Sequence, residues 1–266
     1  MYRSLSPLYD ALYQEQLEVF QSRFAATYPD PGETRFTDFY PSLGVPDGMD
    51  VDFLIYGQAV GGWHEDMDLA IPVPSNRTEI SRTFSNDRYG EDSPIDWVNA
   101  RWSKRVLHGI QDTKQRAYYT LKDSGYWASR SFFWQLTIKV LQSYYGTANE
   151  DDWGWSKQLV WSNLYKIARQ KENPMEDVRV LQRQYAVELV RRELDELQPK
   201  FCLIITSDPW WAPFRRGLGT LESSEDLDGQ VVQSIERYSG TKVIVVHRPF
   251  VGNSKRYSEV IVSHLR

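Results

Sequence analysis

Val51-Asp52-Phe53-Leu54-Ile55-Tyr56-Gly57-Gln58-Ala59-Val60-Gly61-Gly62-Trp63 is the stretch that decides how the chain is read. A short apolar run stops abruptly in a glycine-rich turn that carries one amide side chain. A buried parallel strand delivers its C-terminal end to a ligand in this way. The glycines let the backbone turn sharply and approach a bound molecule closely, with main-chain N–H groups available to it.

Similar strand ends recur downstream. Leu159–Leu164 reads as a strand ending near Asn163, and Val243–Val246 reads as a strand ending at His247. Phe201–Ile205 is apolar throughout, as a fully buried strand requires. Between these runs lie helical patterns. Ser6-Pro7 reads as cap and first turn of a helix to about Ala26. Ser131–Tyr145 carries one apolar side, and Glu176–Leu197 has its stripe at Leu181, Tyr185, Leu189, Val190, Leu194 and Leu197 before Pro199 stops it. A last helix is expected over Lys255–Leu265. Apolar strands alternating with amphipathic helices predict an α/β fold, a three-layer α/β/α arrangement around a central, mostly parallel sheet. In such sheets ligands bind at the C-terminal ends of strands where the order reverses. Gly57–Gly62, Asn163 and His247 all fall at such ends.

The length of 266 residues suits a single domain over 1–266, with 1–50 as an N-terminal helical extension. Residues 28–49 read as a Pro/Gly-bearing loop, and 71–129 as an aromatic-rich insertion with short helices. The single cysteine, Cys202, excludes an internal disulfide, a cysteine-based zinc site and an iron–sulfur cluster held by this chain's own cysteines. His64 beside acids lacks a second nitrogen ligand, so no metal and no cofactor are expected. Neither a cleavable leader pattern nor an apolar run of spanning length is present, which predicts a cytoplasmic protein with no membrane partner. A net charge of −5 argues against binding nucleic acid by bulk charge. Bases nevertheless gather at Arg101, Lys104, Arg105, Lys114 and Arg116, and again at Lys242, Arg248, Lys255, Arg256 and Arg266. These are either scattered solvated side chains or one basic face, and both readings stand at this point.

Taken together, the strand ends resemble the uracil-DNA glycosylase superfamily. Its first motif is a strand ending in Gly-(Gln/Glu)-(Asp/Ala)-Pro-(Tyr/Gly), to which Gly57-Gln58-Ala59-Val60-Gly61 is similar. Its iron–sulfur branch follows that turn with an acidic pair, as at Glu65-Asp66, and has a strand ending in Asn, two apolar residues and Lys, as at Asn163-Leu164-Tyr165-Lys166. A Pro-bearing loop at Asn173-Pro174, a long helix and the stretch Leu197–Phe201 follow in the family's order. Its last motif is a strand ending in His-Pro-Ser, comparable to His247-Arg248-Pro249-Phe250-Val251. The resemblance covers roughly residues 50–70 and 130–266. Ala59 stands where the uracil-specific enzymes carry a water-activating Asp, Val60 and Arg248 stand at proline positions, and the cluster cysteines are absent.

The resemblance implies a monomeric DNA glycosylase, a hydrolase that flips a base out of DNA and cuts its N-glycosidic bond. Asn163 would read the base edge, and His247 would donate to the base oxygen on which charge develops. Gly57, Gln58, Ala59 and Gly61 would supply backbone contacts and hold water, with Asp66 the substitute activator of that water; Glu65 and Asp68 stand nearby. Trp63 would either stack on the base or seal the core. Val251 or Phe250 would wedge into the duplex, and Arg248, Lys255 and Arg256 would hold phosphates. The missing Asp and the long insertion point to a modified base, such as a phage-modified cytosine, or to uracil, and to a role in defence against phage. A non-catalytic nucleic-acid-binding protein of the same fold, and an enzyme acting on nucleosides or nucleotides, are the competing readings.

Overall fold

The computed structural model describes residues 3–28, 34–59, 63, 67–87, 93–121, 126–146, 153–169, 173–222, 227, 229–248 and 253–266. Ser6 caps the first helix, α1 (Pro7–Thr27), by accepting the Tyr9 N–H on its Oγ at 3.2 Å. The chain then lays down β1 (Arg35–Asp38), β2 (Ser42–Leu43), β3 (Phe53–Gly57) and β4 (Met67–Asp68). Short helices follow: α2 (Arg77–Ser85), α3 (Trp97–Ala100), α4 (Lys104–Gly109) and α5 (Thr113–Leu121). Next come α6 (Phe132–Tyr145), β5 (Leu159–Asn163), β6 (Ile167–Arg169) and α7 (Glu176–Leu197). The last part holds β7 (Phe201–Ile204), α8 (Asp208–Leu218), β8 (Leu221–Glu222), β9 (Val232–Tyr238), β10 (Thr241–Val246) and α9 (Ser254–Leu265).

Among the described residues the main sheet has the order β2-β5-β3-β7-β10-β9-β8. Its centre, β5-β3-β7-β10, is parallel, and antiparallel strands cover both edges. A second, antiparallel sheet runs β4-β1-β6. Side chains alternate across the main sheet as the pleat demands. Leu54, Tyr56, Val160, Cys202, Ile204, Val243 and Val245 join a core with α1, α7 and α8. Phe53, Ile55, Leu159, Trp161, Phe201, Leu203, Ile244 and Val246 join one with α6 and α9. This is the three-layer α/β/α fold that the apolar runs predict. Among the described residues of 71–129 lie the short helices α2 to α5. Segment 1–50 contributes more than a helix. Tyr9, Tyr13, Leu17, Phe20 and Phe24 belong to the first core, and β1 and β2 lie in the stretch read as a loop. Among the described residues no helix is long and apolar enough to cross a membrane.

The chain visits β3 first, moves to β5 on one side, and returns past β3 to β7 and β10 on the other. The order therefore reverses at β3, and the crevice opens between the ends of β3 and β7. Beneath that crevice lies a fully buried ion pair. Lys166 Nζ sits 2.6 Å from Glu193 Oε1, with both side chains at 0% exposure. The ammonium also donates to Ser162 Oγ and to the Asn163 carbonyl, each at 2.7 Å. Glu193 accepts the Tyr9 hydroxyl at 2.6 Å and the Tyr56 hydroxyl at 2.7 Å. Burial lowers the Lys166 pKa, and the adjacent Glu193 carboxylate opposes that shift.

Lys166→Ala would strand the Glu193 charge in the interior. We expect a loss of about 3–5 kcal/mol in urea unfolding; a loss below about 1 kcal/mol would refute this account of the pair. The phenols of Tyr9, Tyr13, Tyr40 and Tyr56 are pushed above the ordinary value of 10.0 by burial first and by neighbouring carboxylates second. The unfolded chain releases these protons near pH 10, whereas the fold keeps them. Their stabilisation is therefore complete below pH 10 and is lost as pH rises above it. The lowered Lys166 acts in the opposite sense, as one group against four. The thermal midpoint should fall between about pH 10 and pH 11. A flat profile there would contradict the buried tyrosine network.

Candidate functional site

β3 and β5 end side by side, with Gly57 opposite Asn163. Pairing continues past the strands: the Leu164 N–H donates to the Gly57 carbonyl at 3.0 Å, and the Tyr165 N–H to the Gln58 carbonyl at 3.1 Å. Asn163 is 1% exposed. A Cβ on Gly57 would stand 2.5 Å from Asn163 Oδ1, so the amide occupies the space that a side chain at 57 would need. Asn163 Nδ2 is buried without a hydrogen-bond partner. An orphaned donor of this kind costs about 1–3 kcal/mol and leaves the amide able to donate to a polar ligand. Lys166 holds the same residue from behind through the Asn163 carbonyl.

Phe133 was not singled out from the sequence. Its ring edge comes 3.7 Å from the same imagined Cβ on Gly57, which places it beside the Asn163 amide. Its neighbour Phe132 packs edge-to-face on Tyr257 of α9, centroids 5.3 Å apart. The Tyr257 hydroxyl stands 3.4 Å from His247 Nδ1 and donates to the Gln230 carbonyl at 3.2 Å. A wall of Phe133, Phe132 and Tyr257 thus links Asn163 to His247 on the α6/α9 side of the sheet. The two strands that carry the amide and the imidazole lie three steps apart, roughly 14 Å at ordinary strand spacing. They end on the same rim, with the Gly57 turn between them.

Gln58 spans the crevice itself, its Nε2 donating to the Thr206 carbonyl at 3.4 Å. Ser207, next along, has φ 73° and ψ 158°, a conformation that costs a non-glycine residue about 1–3 kcal/mol. The residue bridges two strand ends: its N–H donates to the Val246 carbonyl at 3.1 Å, and its Oγ accepts the Arg248 N–H at 2.8 Å. Burial holds the Arg248 guanidinium below its ordinary pKa range, and the Tyr126 hydroxyl opposes that shift. Among the described residues no carboxylate pairs with it. Arg248 remains a cation, because no protein environment of this kind deprotonates a guanidinium.

The other expected residues fall in several places. Ala59 packs against the first core, on the α1/α7 side. Trp63 donates its indole N–H to Ser85 Oγ at 3.2 Å, and its ring packs on Phe39, Phe84, Trp97 and Trp161. Trp63 is partly buried in that packing. The indole nitrogens of Trp97 and Trp161 are buried without partners, and Trp161 lies two residues before Asn163 on the same face of β5. Asp68 is occupied: its Oδ1 accepts the Ala70 N–H at 3.0 Å, and that bond, with Thr34 and Arg35, lowers its pKa. Lys255 and Arg256 are exposed at the start of α9, where Asn253 Oδ1 accepts both their backbone N–H groups. Gly61, Glu65, Asp66, Phe250 and Val251 lie outside the described residues.

Among the described residues the donor set does not fit a metal cluster. Cys202 is fully buried in β7, and burial pushes its thiol up. Among the described residues no three His, Cys, Asp or Glu side chains gather to hold a metal. No protein-family model matches the chain, and no curated protein matches it. Fold and site together define a class: an α/β/α protein with an amide, an imidazole and an aromatic wall at the switch point of its parallel strands.

Gly57→Ala should displace the Asn163 amide while leaving the sheet intact. The expected result is a large shift of the Asn163 side-chain resonances in ¹⁵N spectra with an unchanged far-UV spectrum. An unmoved Asn163 amide would refute the reading of Gly57 as a site residue.

Proposed function

We propose that the chain is a DNA glycosylase acting on a modified base, with phage-modified cytosine the leading candidate. The observation that carries the reading is the buried amide of Asn163 with its unpartnered Nδ2, set against Gly57 and Phe133 on the same rim as His247. An amide offers a donor and an acceptor in one plane, as the edge of a nucleobase does. The face of Phe133 would stack on a base flipped out of the duplex. His247 would donate to the base oxygen as the C1′–N bond breaks and its electron pair leaves with the base. Water, oriented by Gln58, would add its oxygen at C1′, and its surplus proton would neutralise the departing base. The products are a free base and an abasic site. Asp66 remains the proposed activator of that water.

Two features favour a substituted base over plain uracil. Ala59 provides no carboxylate, and the indole N–H groups of Trp97 and Trp161 are buried without partners in the aromatic cluster behind Asn163. Such donors suit an oxygen-bearing ring substituent. In this reading the protein acts as a cytoplasmic monomer and makes abasic sites in invading DNA. Val251 or Phe250 is the wedge, and Arg248, Lys255 and Arg256 hold the flanking phosphates.

Purified protein incubated with normal, uracil-containing, hydroxymethylated and glucosylated DNA, then treated with alkali, tests the proposal. Strand breaks are expected in the modified DNA. Asn163→Ala and His247→Ala should each lower the rate by about 10²-fold or more, the scale for losing one donor to a developing anion. Efficient uracil excision with modified cytosines untouched would reject the base, and full activity in both variants would reject the site.

A further inference from the structure

Helices α4 and α5 form a small lobe of the 71–129 insertion with its own apolar centre. Ala100, Leu107, Tyr119 and Trp127 pack together there, separately from the two main cores. The lobe is pinned by Arg101, whose guanidinium lies 5.0 Å from the centre of the Trp127 ring and donates to the Tyr119 and Tyr126 carbonyls, each at 2.9 Å. Tyr126 in turn neighbours Arg248 at the rim of the candidate site.

Its outer surface is cationic. Lys104, Arg105, His108 and Lys114 are exposed, and Arg116 is half-exposed. Asp112 is the only acid from 101 to 121, and it is committed to capping α5, accepting the Lys114 and Gln115 N–H groups at 2.8 and 3.1 Å. Lys104, Arg105 and Lys114 have no carboxylate partner among the described residues. The contrast with α7 is sharp. There Arg179 and Arg183 pair with Glu176, and Arg191 and Arg192 pair with Glu188. On a chain of net charge −5, these cations of α7 are neutralised locally, and Lys104, Arg105 and Lys114 of the lobe have no such acid beside them among the described residues.

We propose that the α4–α5 lobe is a docking surface for the phosphate backbone of double-stranded DNA, with Lys104, Arg105 and Lys114 as its contacts. Exposed lysine and arginine without acidic partners, carried by two short helices in contact, suit a regular polyanion, and they would bind it without reading sequence. The inference rests on the glycosylase reading for the identity of the polyanion. It adds a second point of grip outside the base pocket, which would hold the duplex while one nucleotide is extruded.

The test is fluorescence anisotropy of a labelled duplex of ordinary sequence, titrated with the full chain and with the Lys104→Gln, Arg105→Gln, Lys114→Gln triple variant at several salt concentrations. Circular dichroism confirms that the variant is folded, since the substitutions lie outside the lobe's apolar centre. The variant should bind at least about tenfold more weakly at low salt. Its slope of log affinity against log salt should flatten by about 2–3, the scale for losing three phosphate contacts. Equal affinity and slope would overturn the proposal, as would binding of the native chain to anionic phosphatidylserine vesicles in place of DNA. Native binding that weakens in the variant, with no base excised from any substrate, would sustain the lobe and sink the glycosylase. Excision with unaltered variant binding would do the reverse, and a native chain that ignores DNA would remove both.

Discussion

The buried contact between Lys166 and Glu193 is the constraint on which the rest of the structure turns. Two charges withdrawn from water are tolerable only when their remaining hydrogen-bonding capacity is met. The fold meets it with groups from distant parts of the chain. Tyr9 comes from the first helix, Tyr56 from the strand that leads into the glycine turn, and Ser162 and the Asn163 carbonyl from the neighbouring strand. The requirement fixes how α1, α7, β3 and β5 sit relative to one another. It also fixes the backbone of the residue whose side chain faces the opposite side of the sheet. The interior electrostatics and the candidate site therefore share one piece of chain.

The aromatic richness of the chain divides into two uses. Most of the tryptophans near the site pack on one another: Trp63, Trp97, Trp134 and Trp161 form a continuous cluster of tilted and edge-to-face rings. Such a cluster is rigid, because each ring is held by several neighbours. Phe133 stands at its border, where the glycine of β3 leaves room beside it. A stiff aromatic backing behind an incompletely satisfied amide is a sensible support for planar recognition, since the supporting rings resist being pushed aside.

The sequence made the parallel core legible because buried strands and amphipathic helices announce themselves by composition and period. β3, β5, β7 and β10 are near-continuous apolar runs. On α7 the expected stripe holds at Leu189, Val190, Leu194 and Leu197, whereas the first half buries Val178, Gln182 and Ala186 and leaves Leu181 and Tyr185 partly exposed, because Gln182 is drawn inward to bond the Ile167 backbone. The small sheet was not legible: β1, β4 and β6 are too short to show a period. β9 also escaped notice, since the polar residues Gln233, Ser234, Glu236 and Arg237 interrupt its run, and Glu236 is buried only because Trp211, Arg215, Thr220 and Ser234 donate to it. In the site, Gly57, Asn163 and His247 were readable as strand ends. Phe133 and Tyr257 were not, because helix–helix packing brings them to the rim and no local pattern marks that. The run Phe132-Phe133-Trp134 at a helix start was the available hint.

Adjacent residues of β5 point to opposite worlds. The Ser162 hydroxyl belongs to the charged interior beneath the crevice, whereas the Asn163 amide belongs to the crevice itself. A strand displaced by a single position would exchange them, burying a carboxamide against the ammonium and presenting a hydroxyl to the glycine turn. Such a displacement would also throw Val160 and Trp161 onto the wrong sides. Parity alone thus couples the candidate site to folding here: a molecule that has assembled its interior has already aimed its amide.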